Sequence, residues 1–568
     1  MVKTVFIILF FFPCYLAAQN RYDVIIDEIM ADPTPVVGLP ANEWLELKNI
    51  TAAPINLQNW KIGDASGQSG PMPNFILQPD SIVIVCAGTA VVAMSAFGPA
   101  IVVTSFPSLD NDGEELFLKA ANGKTIHAVS YSSDWYANEI KKEGGWTLEM
   151  IDTKSPCAGS QNWKSSTAMA GGSPGRKNSI DAINMDQTGP QLLRVYITDS
   201  VTIILVYDGP VDSLNGATLA NYSIDGGLLF SNAVTLGPLF NRVQIKTNTP
   251  LAPATVYTIT ATHITDCMNN PIGTANTAKL GLPSDALPGD WIINEILFNP
   301  RANANDFIEF YNNSNKIFDA AKLFIANRNS SGVISSIKVL STIPIYVFPG
   351  DFIVVTEDAD NLALNYHVKN PGKVLVISSM PSFPDDEGDV IALNFQGIVV
   401  DEVKYKDDWH FKLIDNAEGV SLERIDPAGL SQDETNWHSA ASTSGYGTPS
   451  YKNSQYKIPQ SISAEIEVVT KVFSPDNDGH DDIATIQYQV TEPGYVANII
   501  IFDAAGQPVR NLVRNGTLGL QGYWNWDGLN DKGLRLAIGT YVIFTELFNL
   551  QGKKESFKNA IVLARKLR

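Results

Sequence analysis

Apolar residues in this chain fall in short runs, alternating or continuous, each bounded by Gly, Pro, Asn or Asp. No long segment keeps the 3.6-residue period of an amphipathic helix. Val24-Ile25-Ile26, residues 82–85, Glu115-Leu116-Phe117-Leu118 and Ala128-Val129-Ser130-Tyr131 are predicted strands. The same pattern predicts strands over 192–197, 201–207, 242–247, 256–262, 485–490 and 496–502. Many short strands separated by frequent turns imply an all-β chain of sandwiches or barrels.

The pattern also repeats. Gly145-Trp146-Thr147-Leu148-Glu149-Met150-Ile151-Asp152, followed by Asn162-Trp163, Pro174 and Lys177-Asn178-Ser179, returns as Gly419-Val420-Ser421-Leu422-Glu423-Arg424-Ile425-Asp426, Asn436-Trp437, Pro449 and Lys452-Asn453-Ser454. Upstream, Asp27-Glu28-Ile29 answers Asn294-Glu295-Ile296, and Trp44-Leu45-Glu46-Leu47 answers Phe307-Ile308-Glu309-Phe310. Asp134-Trp135 answers Asp408-Trp409. Residues 24–180 and 291–455 are therefore two copies of one unit.

This order of motifs resembles the lamin-tail domain, whose fold is an immunoglobulin-like β-sandwich. Trp44-Leu45-Glu46-Leu47-Lys48-Asn49 and Leu57-Gln58-Asn59-Trp60 carry the resemblance in the first copy, and Ile308-Glu309-Phe310-Tyr311-Asn312 in the second. Residues 321–327 of the second copy depart from the family pattern. Between the copies, Leu251-Ala252-Pro253-Ala254-Thr255-Val256-Tyr257-Thr258-Ile259 resembles bacterial Ig-like modules of the S-layer type. Near the end, Gly522-Tyr523-Trp524-Asn525-Trp526-Asp527-Gly528 and Asn530-Asp531-Lys532-Gly533 are similar to the Ig-like domain of flagellar hook-capping proteins and to C-terminal sorting modules of type IX secretion. Its Trp and Tyr positions are expected to fill the core of that module.

The expected organisation is a signal peptide over 1–18, a lamin-tail domain over 19–180, a bacterial Ig-like domain over 188–284, a second lamin-tail domain over 289–455 and a hook-capping-type Ig-like domain over 464–568. The fold class is all-β, as tandem immunoglobulin-like β-sandwich domains. The signal reading rests on Lys3, the apolar run 5–12 and Leu16-Ala17-Ala18 before Gln19. No later apolar run is long enough to span a bilayer.

A net charge of −20 argues against sequence-independent nucleic-acid binding, which needs basic surface to neutralise phosphate. Of four cysteines, Cys14 lies in the signal segment, Cys86 in an apolar strand, and Cys157 and Cys267 in polar loops of different domains. The odd number left after cleavage does not form a disulfide framework. The domains are thus expected to be held by burial and strand pairing alone.

Candidate chemistry is sparse. Asp476-Asn477-Asp478-Gly479-His480-Asp481-Asp482 alternates carboxylates around a Gly bend. That spacing lets Asp476, Asp478 and Asp482 wrap a hard cation such as structural Ca²⁺, or cap their own turn. The acidic turns at 110–115 and 385–389 stand between predicted strands and read as hairpins. Gly171-Gly172-Ser173-Pro174-Gly175 fits G-x-S-x-G but lacks the strand-to-helix setting of a nucleophile elbow. The copy places Thr448 opposite Ser173. The six histidines show no zinc or metalloprotease spacing. Trp135 and Trp409, each beside an Asp, are candidates to stack on a sugar or grip a partner, against the plainer reading of buried sandwich residues.

The expectation is a non-enzymatic secreted or cell-surface bacterial protein, adhesive or structural, binding a protein or surface polymer through two lamin-tail domains, with the C-terminal domain serving export or display. The alternatives are a carbohydrate- or polymer-binding accessory protein and a hydrolase with a site assembled between domains.

Overall fold

The structure, a computed structural model, describes residues 19–456, 464–476, 478–550 and 552–565. The signal segment 1–18 lies outside these. The described residues form two compact units: 19–251 with Tyr257–Leu280, and Ala252–Val256 with those from Gly281 onward. Both are built from β-sheets, joined by short helical turns.

The first unit opens with a six-stranded sheet in the spatial order Trp163–Ser165, Leu148–Met150, Val24–Met30, Trp44–Asn49, Ile82–Cys86, Ala100–Val102. All pairings are antiparallel except the last. A three-stranded sheet of Lys61–Gly63, Glu115–Lys119 and Thr125–Ser130 accompanies it. Alternation divides Trp44–Asn49 between two environments. Leu45 and Leu47 enter the main core with Trp60, Ile62, Leu116 and Ile126, while Trp44 joins a second cluster with Met30, Ile84 and Met94. Both faces of this strand are covered, so all six of its residues are buried.

The same unit continues with a four-stranded sheet, Leu192–Asp199, Thr202–Tyr207, Arg242–Thr247 and Phe230–Leu236, and a three-stranded one, Tyr222–Ile224, Tyr257–Ala261 and Thr277–Leu280. Two devices tie this part to the first. Arg21 donates to the carbonyls of Val211 and Leu239 and lies 4.1 Å above the Phe240 ring. Cys157 and Cys267 form a disulfide with 6.1 Å between their Cα atoms. This corrects the expectation that burial and strand pairing alone hold the modules. The buried Cys86 keeps a free thiol.

In the second unit, a six-stranded sheet runs Trp437–Ser439, Leu422–Arg424, Trp291–Leu297, Phe307–Asn312, Phe352–Thr356, Val374–Val376. This is the strand order of the first sheet, with the same single parallel pair at its edge. Even the irregularity recurs. The pairing slips between Ile26 and Glu28 in one sheet and between Ile293 and Glu295 in the other, so Asp27 and Asn294 are equivalent bulge residues. The departure at 321–327 also has a cause. Leu323–Arg328 pairs with Ile334–Val339, adding a hairpin to the partner sheet, which here has four strands.

The chain ends in a three-stranded sheet, Glu465–Val468, Ala484–Gln489 and Gln521–Trp526, and a five-stranded one, Val472–Phe473, Lys554–Leu563, Gly539–Asn549, Tyr495–Phe502 and Pro508–Thr517. Trp526 fills their core against Phe473 and Tyr541. Tyr523 does not: it is 59% exposed, because alternation from the inward Trp526 turns it outward.

Candidate functional site

The motif residues shared by the two repeats converge on one arrangement of buried carboxylates. In the second repeat, Glu295, Glu309 and Glu423 sit side by side on three neighbouring strands, each wholly buried. The closing segment of the repeat crosses them. The Thr448 amide donates to Glu295 Oε1 at 2.8 Å, and the Ser450 amide to Glu309 Oε2 at 2.6 Å. Ser454 Oγ and the Gln455 amide both donate to Glu423 Oε2 at 2.8 Å. Asn294, exposed to this segment by the bulge, donates its amide to Glu309 Oε1 at 2.8 Å and to Asn453 Oδ1 at 2.6 Å.

One contact fixes a protonation state. Thr448 Oγ1 stands 2.9 Å from both Glu295 Oε2 and Glu423 Oε1. A hydroxyl has one proton to give. It donates to one carboxylate and must accept from the other, so one of the two glutamates is a neutral acid. Burial pushes Glu295 up to about 7 and Glu423 to about 8, and holds Glu309 well above the usual carboxylate range.

The first repeat builds the same latch from Glu28, Glu46 and Glu149. Ser173 donates its amide to Glu28 Oε1 and its hydroxyl to Glu149 Oε1, both at 2.8 Å. The Gly175 amide reaches Glu46 Oε2 at 2.6 Å, and Ser179 Oγ reaches Glu149 Oε2 at 2.8 Å. Burial raises Glu28 to about 8, with Glu149 adding repulsion. The bulge residue differs. Asp27 has no amide, and the two acceptors matching those served by Asn294, Glu46 Oε1 and Asn178 Oδ1, are buried without a partner. Burial also raises Asp27 to about 7, against the pull of Lys48.

The latch explains Ser173. Its hydroxyl is spent on Glu149 inside the fold, in the closing turn that the repeat comparison indicates. His127 is interior as well. Its Nδ1 accepts from the Ile26 amide at 3.0 Å, and burial lowers it to about 3, so it is neutral.

The other expected positions are placed as follows. Trp135 and Trp409 are half-buried against their cores, 6.2 Å from Trp163 and 6.5 Å from Trp437. Asp476, Asp478 and Asp482 do come together, with carboxylate oxygens within 4.8 Å of one another. Backbone amides of Asp476 and Gly479 donate to Asp482, and that of His480 to Asp478, so the loop caps itself with the oxygens a cation would use. The acidic stretch 110–115 leads into Glu115–Lys119 rather than joining two paired strands, and Glu387–Asn394 absorbs most of 385–389. Neither is the hairpin turn expected. The convergence of the glutamates is what sequence reasoning missed. The available signal was a charged residue recurring at one position of otherwise apolar strands in both repeats.

Among the described residues, no helix is long and apolar enough to cross a membrane. No curated protein matches the chain in sequence. Solved structures that the chain matches include the N-terminal part of the bacterial S-layer protein SbsC (14% identity over 29% of this chain and 39% of that one, TM-score 0.16). A tetra-tandem repeat from the extending region of a large adhesion protein shows 11% identity over 96% of this chain and 99% of that one, TM-score 0.13. A DUF4876 family protein from Bacteroides thetaiotaomicron shows 12% identity over 41% and 86%, TM-score 0.17. This chain thus spans well under half of the SbsC fragment. In sequence, residues 17–133 match the lamin tail domain family.

Proposed function

We propose that this protein is a non-enzymatic structural component displayed on, or released from, a bacterial cell surface. In this reading both repeats are lamin-tail modules presented to a protein or surface polymer. The last module, of hook-capping or type IX sorting kind, directs export. The observation that carries the reading is the Cys157–Cys267 disulfide between successive modules. Such bonds persist in oxidising compartments outside the cytosol. A crosslink between modules, reinforced by the Arg21 clamp, suits a part that transmits force or holds a spacing. Two linked copies of one module also raise avidity where both reach the same partner.

The test is cell fractionation of the full-length protein beside a chain ending before residue 464. The reading expects the full chain at the surface or in the medium and the shortened one retained. Equal export of both overturns the sorting role of the last module. Retention of the full chain in the cytoplasm overturns the reading itself.

A further inference from the structure

Toward one end, the outward face of the sheet formed by Glu465–Val468, Ala484–Gln489 and Gln521–Trp526 carries two rows of side chains in register, beyond the row of Thr485 and Asn525. One row is Glu465, Gln489 and Gln521; the other is Glu467, Gln487 and Tyr523. Residues two apart share a face, so these six form one polar surface with a single aromatic ring standing in it. The surface is one wall of a cleft of about 970 Å³ within the second unit. The opposite wall, from the second repeat, brings Tyr451, with His367 edge-on at 6.1 Å and Lys369 Nζ 5.8 Å over its ring, and Lys452, whose Nζ lies 4.3 Å over the Tyr456 ring.

The walls are fixed to each other. Thr443 Oγ1 bonds Tyr488 OH at 2.8 Å, and Ser442 Oγ donates to the Thr517 carbonyl at 2.9 Å. The Leu520 amide donates to the Ser454 carbonyl at 2.8 Å, and the buried Gln455 side chain to the Leu518 carbonyl at 3.0 Å. The cleft is therefore a formed feature, of a size that accepts a ligand of several rings.

We propose that this cleft binds a glycan chain. The donor set decides the class. Three glutamine amides each donate and accept, and two carboxylates accept, which matches the paired donor-acceptor character of vicinal hydroxyls. Tyr523, 59% exposed, supplies a flat face for the C–H side of a pyranose ring. Glu465 and Glu467 disfavour a polyphosphate backbone, and the mostly polar lining disfavours an apolar helix. The site is distinct from Trp135 and Trp409, whose rings are committed to their own cores. It does not depend on where in the cell envelope the protein resides.

The probes are cello-, chito-, manno- and xylo-hexaose, titrated against the full chain by calorimetry, with Tyr523→Ala, Tyr523→Phe and Glu467→Gln compared. Both positions are exposed, so the variants are expected to unfold at the wild-type temperature. At least one hexaose is expected to bind, at least tenfold more weakly to Tyr523→Ala and Glu467→Gln, and nearly unchanged to Tyr523→Phe. Binding by none of the four overturns the proposal. So does binding indifferent to Tyr523→Ala, which would put the glycan elsewhere.

Discussion

Asp27 and Asn294 occupy equivalent bulges of matching sheets in the two repeats, and once Asp27 is ionised only Asn294 brings a donor to the oxygens waiting there. Asn294 serves Glu309 Oε1 and Asn453 Oδ1, while the equivalent Glu46 Oε1 and Asn178 Oδ1 are left unpartnered beside Asp27. Replacing Asp27 by Asn should supply the missing amide. An unsatisfied buried acceptor costs about 1–3 kcal/mol, so Asp27→Asn is expected to stabilise the first unit by about that amount at pH 8. Asn294→Asp is expected to destabilise the second by a similar amount. Chemical denaturation of each variant measures both. A destabilised Asp27→Asn protein would show that the aspartate has a partner worth more than the amide.

The latches give a pH dependence of definite sign. Burial raises Asp27 to about 7 and Glu28 and Glu423 to about 8, above their unfolded values. The folded chain then holds more protons than the unfolded one across the interval between unfolded and folded pKa values. The buried neutral histidines, His127 at about 3 and His410 at about 4, oppose this at acid pH. The raised carboxyls outnumber the lowered histidines in each unit, so net stability falls as pH rises from about 4 to about 8 and levels off above it. Denaturation midpoints at pH 5, 6, 7 and 8 should descend, and Asp27→Asn should flatten the curve for the first unit. A midpoint rising over that range contradicts the protonated latch.

Thr448 is the hinge pin of the second latch. Thr448→Val keeps the shape and removes the hydroxyl that meets Glu295 and Glu423. Two buried carboxyl oxygens lose that partner, so a loss of about 2–4 kcal/mol is expected. Ser173→Ala, which strips a single hydroxyl contact from Glu149, should cost less. Thermal unfolding ranks the two, and a larger loss for Ser173→Ala would contradict the shared-proton geometry.

The disulfide closes a separation of 110 residues. Loop closure of that size is worth about 4–5 kcal/mol in the chain-entropy account, and measured losses run about 2–5 kcal/mol. Cys157→Ser with Cys267→Ser should lower the unfolding midpoint of the first unit and leave the second unchanged. A double variant as stable as the parent would show that the modules hold together without the bond.

The aspartate loop near residue 480 admits a direct check. If Asp476, Asp478 and Asp482 share Ca²⁺, a concentration 100 times the dissociation constant stabilises the last module by about 2.7 kcal/mol. Asp482→Asn should abolish that response. A midpoint indifferent to Ca²⁺ leaves the loop as a turn capped by its own amides.

Much of the architecture was legible because alternation and turn residues are local. The strand predicted at 242–247 is Arg242–Thr247, and that at 485–490 is Ala484–Gln489 within a residue. The repeat fixed the register between copies, since Glu28 and Glu295 stand at equal places in matching strands. Two things were not legible, and a third was legible but misassigned. The pairing of Cys157 with Cys267 depends on how two modules dock, which no local spacing records. The added hairpin at Leu323–Arg328 read only as a departure from the family pattern. Tyr523 was grouped with the core aromatics, although alternation from Trp526 already assigns it to the other face.

The most direct test of a surface-displayed, crosslinked chain is labelling of intact cells with a membrane-impermeant amine reagent, followed by non-reducing peptide mass spectrometry. The account expects labelled lysines before lysis and a Cys157–Cys267 linked peptide from the same labelled molecules. Label acquired only after lysis, on chains in which both cysteines are free thiols, would contradict it.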